Sequence, residues 1–289
     1  MATDSGQVTE ATSSLRYVSA KTIREYASHA RLRLQSHVAL VYDEREHEVI
    51  FERNVHEVLP IASLTKLMTA MVVLDAGQPL DEVITISKED KDRIRYSRSR
   101  LRAGMQFTRK DLLLIALVAS ENRAALALAR TYPGGTSAFV TAMNNKAHRL
   151  GLSKTHFSDP AGLHNDNEST AYEMMQIVRA AGEYFMIREF TTQTKDSIIN
   201  LKNGRKVEFG NTNRLVKQDS WPITLSKTGF TGDAGNCLVM KTEINDRPVI
   251  IVLLDSWGKL SKYGDSNRLK KWLIKTERKL TKIKVARSN

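Results

Sequence analysis

Three short strings hold most of the residues able to do chemistry: Ser63-Leu-Thr-Lys66, Ser120-Glu-Asn122 and Lys227-Thr-Gly229. A serine hydroxyl becomes a useful nucleophile only when a neighbouring group takes its proton. On a helix, a lysine three residues on lies one turn away on the same face, so the Lys66 amine reaches the Ser63 hydroxyl. Free N–H groups near a helix N-terminus also favour negative charge developing there. Ser120 adds a second hydroxyl and Asn122 a side-chain amide. Lys227 and Thr228 add a cation and a hydroxyl, and Gly229 permits close backbone approach.

Taken singly, each string is weak. Ser63 and Lys66 also fit a solvated helix end, Ser120 and Asn122 a helix cap, and Lys227-Thr-Gly229 a turn closing a strand. Ser-x-x-Lys recurs at Ser256-Trp-Gly-Lys259, where the internal glycine after an apolar run argues for a turn. Ser-x-Asn and Lys-[Ser/Thr]-Gly each occur once. The three in this order point to acyl transfer through Ser63.

The positioning elements follow from periodicity and turn residues. Leu67, Met71 and Leu74 fall at helical spacing between Ser63 and Ala76, with Gly77 placed to end that helix. An apolar helical run, Leu112 to Ala119, delivers Ser120 at its end. Trp221 to Ser226 reads as a short strand leading into Lys227. Asn236 to Thr242 and Arg247 to Leu254 read as a hairpin turning at Asn245-Asp246. Upstream, residues 20–35 suggest a helix, and His37 to Asp43 with His47 to Arg53 a two-stranded hairpin. Residues 1–14 are Ser/Thr/Gly-rich and are expected to be disordered. Residues 15–289 are expected to form one catalytic domain. Its sheet lobe spans about 15–85 and 191–289, and a mostly helical lobe about 86–190. The expected fold class is α/β: a mixed, mostly antiparallel sheet assembled from distant segments, flanked by helices, with an inserted all-helical lobe. Ser120 and Asn122 would line one side of a cleft and Lys227 the other.

The chain has 289 residues, 41% of them hydrophobic, and no apolar run long enough to span a bilayer. Its start, Met1-Ala-Thr-Asp-Ser-Gly-Gln, has no apolar signal core, so an exported protein would be represented here in its mature form. The single cysteine, Cys237, forms no internal disulfide and reads as a buried small residue. His148, His156 and His164 have no common metal-ligand spacing, and no cofactor fingerprint is present. Formal net charge is +12. Basic residues gather between Arg95 and Lys110, and again from Arg268 to Arg287. In the second group Leu269, Trp272, Leu273 and Leu280 suggest a docked amphipathic helix with a cationic outer side. Such patches attract polyanions, but no nucleic-acid motif accompanies them.

The motif set is that of β-lactamases and penicillin-binding proteins. From about residue 34 to 275 the chain resembles the serine D-Ala-D-Ala peptidases among the low-molecular-mass penicillin-binding proteins, most closely the endopeptidase branch of the penicillin-binding protein 7 type. The resemblance is carried by Pro60-Ile-Ala-Ser-Leu-Thr-Lys-Leu-Met-Thr69, Ser97-Arg-Ser-Arg-Leu101, Ala119-Ser-Glu-Asn-Arg-Ala124, Phe157-Ser-Asp-Pro-Ala-Gly-Leu163 and Lys227-Thr-Gly-Phe-Thr231. Related carboxypeptidases usually carry His where this chain has Phe230, and often Gly where it has Glu121. Both departures favour the endopeptidase branch.

The resemblance implies catalysis by Ser63, Lys66, Ser120 and Asn122, substrate binding by Lys227, Thr228, Gly229 and Phe230, and no cofactor. It implies peptidoglycan cross-links as substrate, β-lactams as covalent inhibitors and a periplasmic location. The basic terminal helix would contact anionic membrane or a wall enzyme. A carboxypeptidase is the alternative. A β-lactamase of class A would need a Glu-x-x-Leu-Asn string, absent between Ser120 and Lys227. A catalytically silent wall-binding scaffold would not need the intact site.

Overall fold

A computed structural model describes residues 18–27 and 32–288, with the side chains of 287 and 288 left aside. The segment 1–14, and residues 28–31 of the expected first helix, lie outside the described residues. Along the chain come helix α1 (Ala20–Ala27), strands β1 (Ser36–Asp43), β2 (Glu48–Arg53) and β3 (Leu59–Pro60), then a 3₁₀ turn Ala62–Thr65 running into α2 (Lys66–Asp75). Strands β4 (Val83–Thr85) and β5 (Gln106–Thr108) precede α3 (Arg109–Val118), α4 (Asn122–Arg130) and α5 (Gly135–Arg149). Next are β6 (Glu168–Ser169), α6 (Ala171–Gly182), α7 (Phe185–Thr192), β7 (Lys195–Ile199), β8 (Lys206–Gly210) and a 3₁₀ turn Arg214–Lys217. Strands β9 (Leu225–Thr231), β10 (Gly235–Ile244) and β11 (Arg247–Ser256) lead to α8 (Ser261–Ser288).

The main sheet has the order β2-β1-β11-β10-β9, so strands from both ends of the sequence pair through β1 and β11, and every pairing is antiparallel. Its central strands read as unbroken apolar runs because both of their faces are buried. Val38, Leu40, Ile250, Val252 and Leu254 face one core, which also holds α2 to α6. Ala39, Val41, Val249, Ile251 and Leu253 face the other, closed by α1 and α8. Side-chain alternation along each strand makes this division. The β10–β11 hairpin turns at Asn245 and Asp246, both at positive φ, as a two-residue turn matched to strand twist requires.

Several boundaries differ from the sequence reading. Ser63 sits on the 3₁₀ turn, and the α-helix begins only at Lys66. Residues 32–35, expected to continue the first helix, are not helical. Residues 86–105, placed in a mostly helical region, contain no helix or strand. The strand expected at Trp221–Ser226 starts at Leu225 and contains the Lys-Thr-Gly string itself. That strand is the free edge of the sheet.

Candidate active site

The turn that carries Ser63 is held from three sides. Ala62 adopts φ 47°, an uncommon conformation for a residue with a side chain. Thr65 Oγ1 donates to the Ala62 carbonyl at 2.8 Å. Gly229 of β9 lies against the turn so closely that a Cβ there would sit 2.9 Å from the Ile61 oxygen and 3.2 Å from the Ser63 nitrogen. Gly162 approaches from the opposite loop, where a Cβ would meet the Ala62 oxygen at 1.9 Å. Two glycines therefore permit the contacts that fix Ser63.

Lys66 is 1% exposed and its Nζ donates three hydrogen bonds: to Ser63 Oγ at 2.8 Å, Asn122 Oδ1 at 2.7 Å and the Ala161 carbonyl at 2.6 Å. A three-residue step in a 3₁₀ turn stacks side chains, which brings the two groups together as the helix argument required. Burial lowers the Lys66 pKa to about 7, against the opposing pull of Asp159, Glu121 and Asp92. An amine near neutrality at physiological pH can accept the Ser63 proton.

Asn122 opens α4, after Glu121 at the N-cap. Its Nδ2 donates to Ser97 Oγ at 2.9 Å, so its oxygen is left facing Lys66. Ser120, between α3 and α4, adopts φ 58°. Lys227 Nζ reaches across from the sheet edge to Ser120 Oγ at 2.8 Å and to the Thr228 carbonyl at 3.0 Å. Lys227 is fully buried, and its pKa is driven well below the lysine range by burial and by the positive charges of Lys66 and Lys262. Thr228 Oγ1 donates to Thr212 Oγ1 at 2.6 Å. Phe230 is exposed at the rim. Ser63, Ser120, Thr228, Gly229 and Phe230 share a cleft of about 820 Å³. Lys66, Asn122 and Lys227 stand behind it: Lys66 is bonded to Ser63, Lys227 to Ser120, and Asn122 to Lys66.

Residues 24–258 match the model of the peptidase S11 family, described as D-alanyl-D-alanine carboxypeptidase. The chain belongs to that family. This S11 peptidase is 46% identical over 240 residues to a D-alanyl-D-alanine endopeptidase of Pseudomonas aeruginosa, covering 83% of this chain and 77% of that one. Identity to the Escherichia coli D-alanyl-D-alanine endopeptidase is 44% over 235 residues, covering 81% and 76%. The structure of penicillin-binding protein D2 from Listeria monocytogenes in its cefotaxime-bound form aligns with a TM-score of 0.72 at 29% identity, over 84% of this chain and 99% of that one. The resemblance carried by the motifs thus holds at the level of family and fold.

Some site residues of this S11 peptidase carried no motif of their own. The buried Asp159 carboxylate accepts hydrogen bonds from the backbone N–H groups of Ala161, Gly162, Leu163 and His164 and from Asn167 Nδ2, which fixes the loop presenting the Ala161 carbonyl to Lys66. Ser97 anchors Asn122. Both lie inside strings quoted above for resemblance, but nothing in their spacing marked a role. Lys262, on the first turn of α8, donates to Asn236 Oδ1 at 3.0 Å beside the cleft, and burial lowers its pKa to about 8.

Other candidates fall elsewhere. Ser256 is buried against Ser36, 2.7 Å between hydroxyls, and does not line the cleft. Cys237 is buried, and burial raises its thiol to about 11. Arg98 and Arg100 line a separate cavity with Glu121, Val207 and Phe209 rather than the Ser63 cleft.

Proposed function

We propose that this S11 peptidase is a serine DD-endopeptidase that hydrolyses D-alanyl cross-links of peptidoglycan through an acyl-enzyme on Ser63. The observation that carries the reading is the buried Lys66 amine, with a pKa of about 7, 2.8 Å from the Ser63 hydroxyl. Ser63 Oγ attacks the D-alanine carbonyl as its proton passes to Lys66, making general base catalysis the entry step. The backbone N–H groups of Ser63 and Phe230 receive the oxyanion. The C–N bond then breaks, and the departing nitrogen takes a proton relayed from Lys66 through Ser120. Asn122 holds Lys66 and the substrate amide in place. Lys227 and Thr228 bind the negatively charged or polar end of the substrate. Water, activated by the same base, hydrolyses the ester and frees Ser63. A β-lactam acylates Ser63 in the same way, but its opened ring keeps the leaving nitrogen tethered.

Phe230, exposed at the cleft rim where carboxypeptidases usually carry His, supports a cleft that admits a continuing chain; Glu121, where they often carry Gly, is a second departure that favours the endopeptidase branch. The endopeptidase relatives favour it too. Residues 15–289 act as one catalytic unit, its cleft lined by the sheet edge and, from the segment between 86 and 190, by Ser120. The substrate places the enzyme in the periplasm; no helix among the described residues is long and apolar enough to cross a membrane. The exposed Lys271, Lys275 and Arg278 of α8 suit contact with an anionic membrane or wall enzyme. Carboxypeptidase action is the second reading, favoured by the family description. Digestion of purified muropeptides separates the two. Cross-linked dimers should be split to monomers while monomeric pentapeptide loses D-alanine slowly; rapid D-alanine release with dimers intact would place the enzyme on the carboxypeptidase branch.

A further inference from the structure

Beyond Ser63 and Thr228, the same cleft is lined by Arg214, Lys217, Lys259 and Lys262, and among its described lining residues there is no carboxylate. Lys262 is largely buried and bonded to Asn236, but Arg214, Lys217 and Lys259 are exposed. Among them stand Trp257, 86% exposed, and Leu260, also exposed, with Phe230 (66%) on the adjoining strand. Large apolar side chains gathered at a rim of like charge mark a recognition surface more often than a merely solvated one.

The placement of this wing is specific. Arg214 and Lys217 sit on the 3₁₀ turn that begins two residues after Thr212, whose hydroxyl is bonded to Thr228. Tyr263 Oη, from the first turn of α8, donates to the Thr212 carbonyl at 2.9 Å and ties that turn to the segment carrying Trp257, Lys259 and Leu260. A substrate group resting on Thr228 therefore continues directly into the wing. A leaving group that is one amino acid ends at Thr228 and Lys262, and has nothing to place on three further cations and an exposed indole.

We propose that Arg214, Lys217 and Lys259, with Trp257 as an apolar floor, form a subsite for the leaving strand, an acidic peptide that continues past the scissile bond. This inference rests on the endopeptidase reading. Rim cations of this kind act chiefly on encounter and ground-state binding, and their effect is screened by salt.

The test compares wild type with a triple variant, Arg214→Ala, Lys217→Ala and Lys259→Ala, and with Trp257→Ala. All four positions are exposed, so folding should be retained. Three quantities are measured for each protein, at low and at physiological ionic strength: kcat and KM for a cross-linked dimer, and the acylation rate constant for benzylpenicillin. The triple variant should raise KM for the dimer, and lower the ratio of dimer kcat/KM to acylation, by about 10-fold, with kcat little changed and the salt dependence flattened. Trp257→Ala should raise KM without altering the salt dependence. Unchanged dimer kinetics in the triple variant, or a fall shared equally by acylation, would overturn the subsite while leaving the endopeptidase reading standing. If wild type is acylated but leaves dimers intact, the endopeptidase reading itself fails. Calorimetric binding of a short peptide bearing two carboxylates to Ser63→Ala protein then judges the wing alone. Binding that disappears on adding the triple substitution supports it, and equal binding overturns it.

Discussion

At the scale of single residues, the proposed chemistry depends on one buried amine. Lys66 keeps three acceptors around it, yet burial lowers its pKa to about 7, which makes its neutral form accessible at neutral pH. Lys66→Ala should slow acylation by about 10²–10⁴-fold, the usual worth of a positioned base, as read by stopped-flow with a chromogenic β-lactam. The pH profile gives a sharper signature. Wild-type acylation should rise through a limb near pH 7 as Lys66 loses its proton, and that limb should vanish in Lys66→Ala; a limb that persists would assign the titration to another group. The same shift has a consequence for stability. The unfolded chain binds more protons than the folded one from about pH 7 up to the ordinary lysine range, so this group's contribution to stability rises with pH across that window. Ser63, Lys66, Ser120, Asn122 and Lys227 were legible because each lies in a short string whose spacing is itself informative. Asp159, Ser97 and Lys262 were not, because their partners are brought close only by folding.

At the scale of elements, the site is a junction between a 3₁₀ turn, a strand edge and a loop. Gly229→Ala would place a methyl 2.9 Å from the Ile61 carbonyl oxygen and push β9 away from Ser63. A displacement of about 1 Å at a reacting group costs on the order of 10²-fold in rate, and overpacking of this kind costs about 1–3 kcal/mol. Acylation kinetics and urea denaturation should show both losses. Asp159→Ala removes an acceptor shared by four backbone N–H groups and an amide, so the urea midpoint should fall by the equivalent of about 3 kcal/mol or more. Acylation should fall with it, since the Ala161 carbonyl loses its support. A variant with wild-type stability would show that the loop is held by its other contacts. The helix ending before Ser120 and the β10–β11 hairpin were readable from apolar periodicity and turn residues. The start of α2 was not, because a 3₁₀ turn and the first turn of an α-helix share the same residue preferences. Residues 86–105 were misread as helical because their irregular course is set by side-chain bonds such as those of Asp92 to the Ile94, Arg95 and Ser97 backbones, which have no periodic signature.

At the scale of the molecule, the sheet pairs strands from both ends of the sequence and presents its edge strand β9 to a cleft that Ser63 and Ser120 also line. The sheet built from distant segments was foreseeable, since strand patterns lie at both ends of the sequence with helical patterns between them. The cationic wing of the cleft was not, because Arg214, Lys217 and Lys259 are spread over 46 residues and share a cleft only in the folded chain, where Thr212 bonds to both Thr228 and Tyr263.

All three scales converge on covalent chemistry at one hydroxyl, and a peptide map after exposure to benzylpenicillin tests it most directly. A single adduct of one opened penicillin should appear on the peptide containing Ser63 and Lys66, and should be absent from Ser63→Ala protein. An adduct on Ser120 or Ser256, or none on the folded wild-type enzyme, would contradict the account.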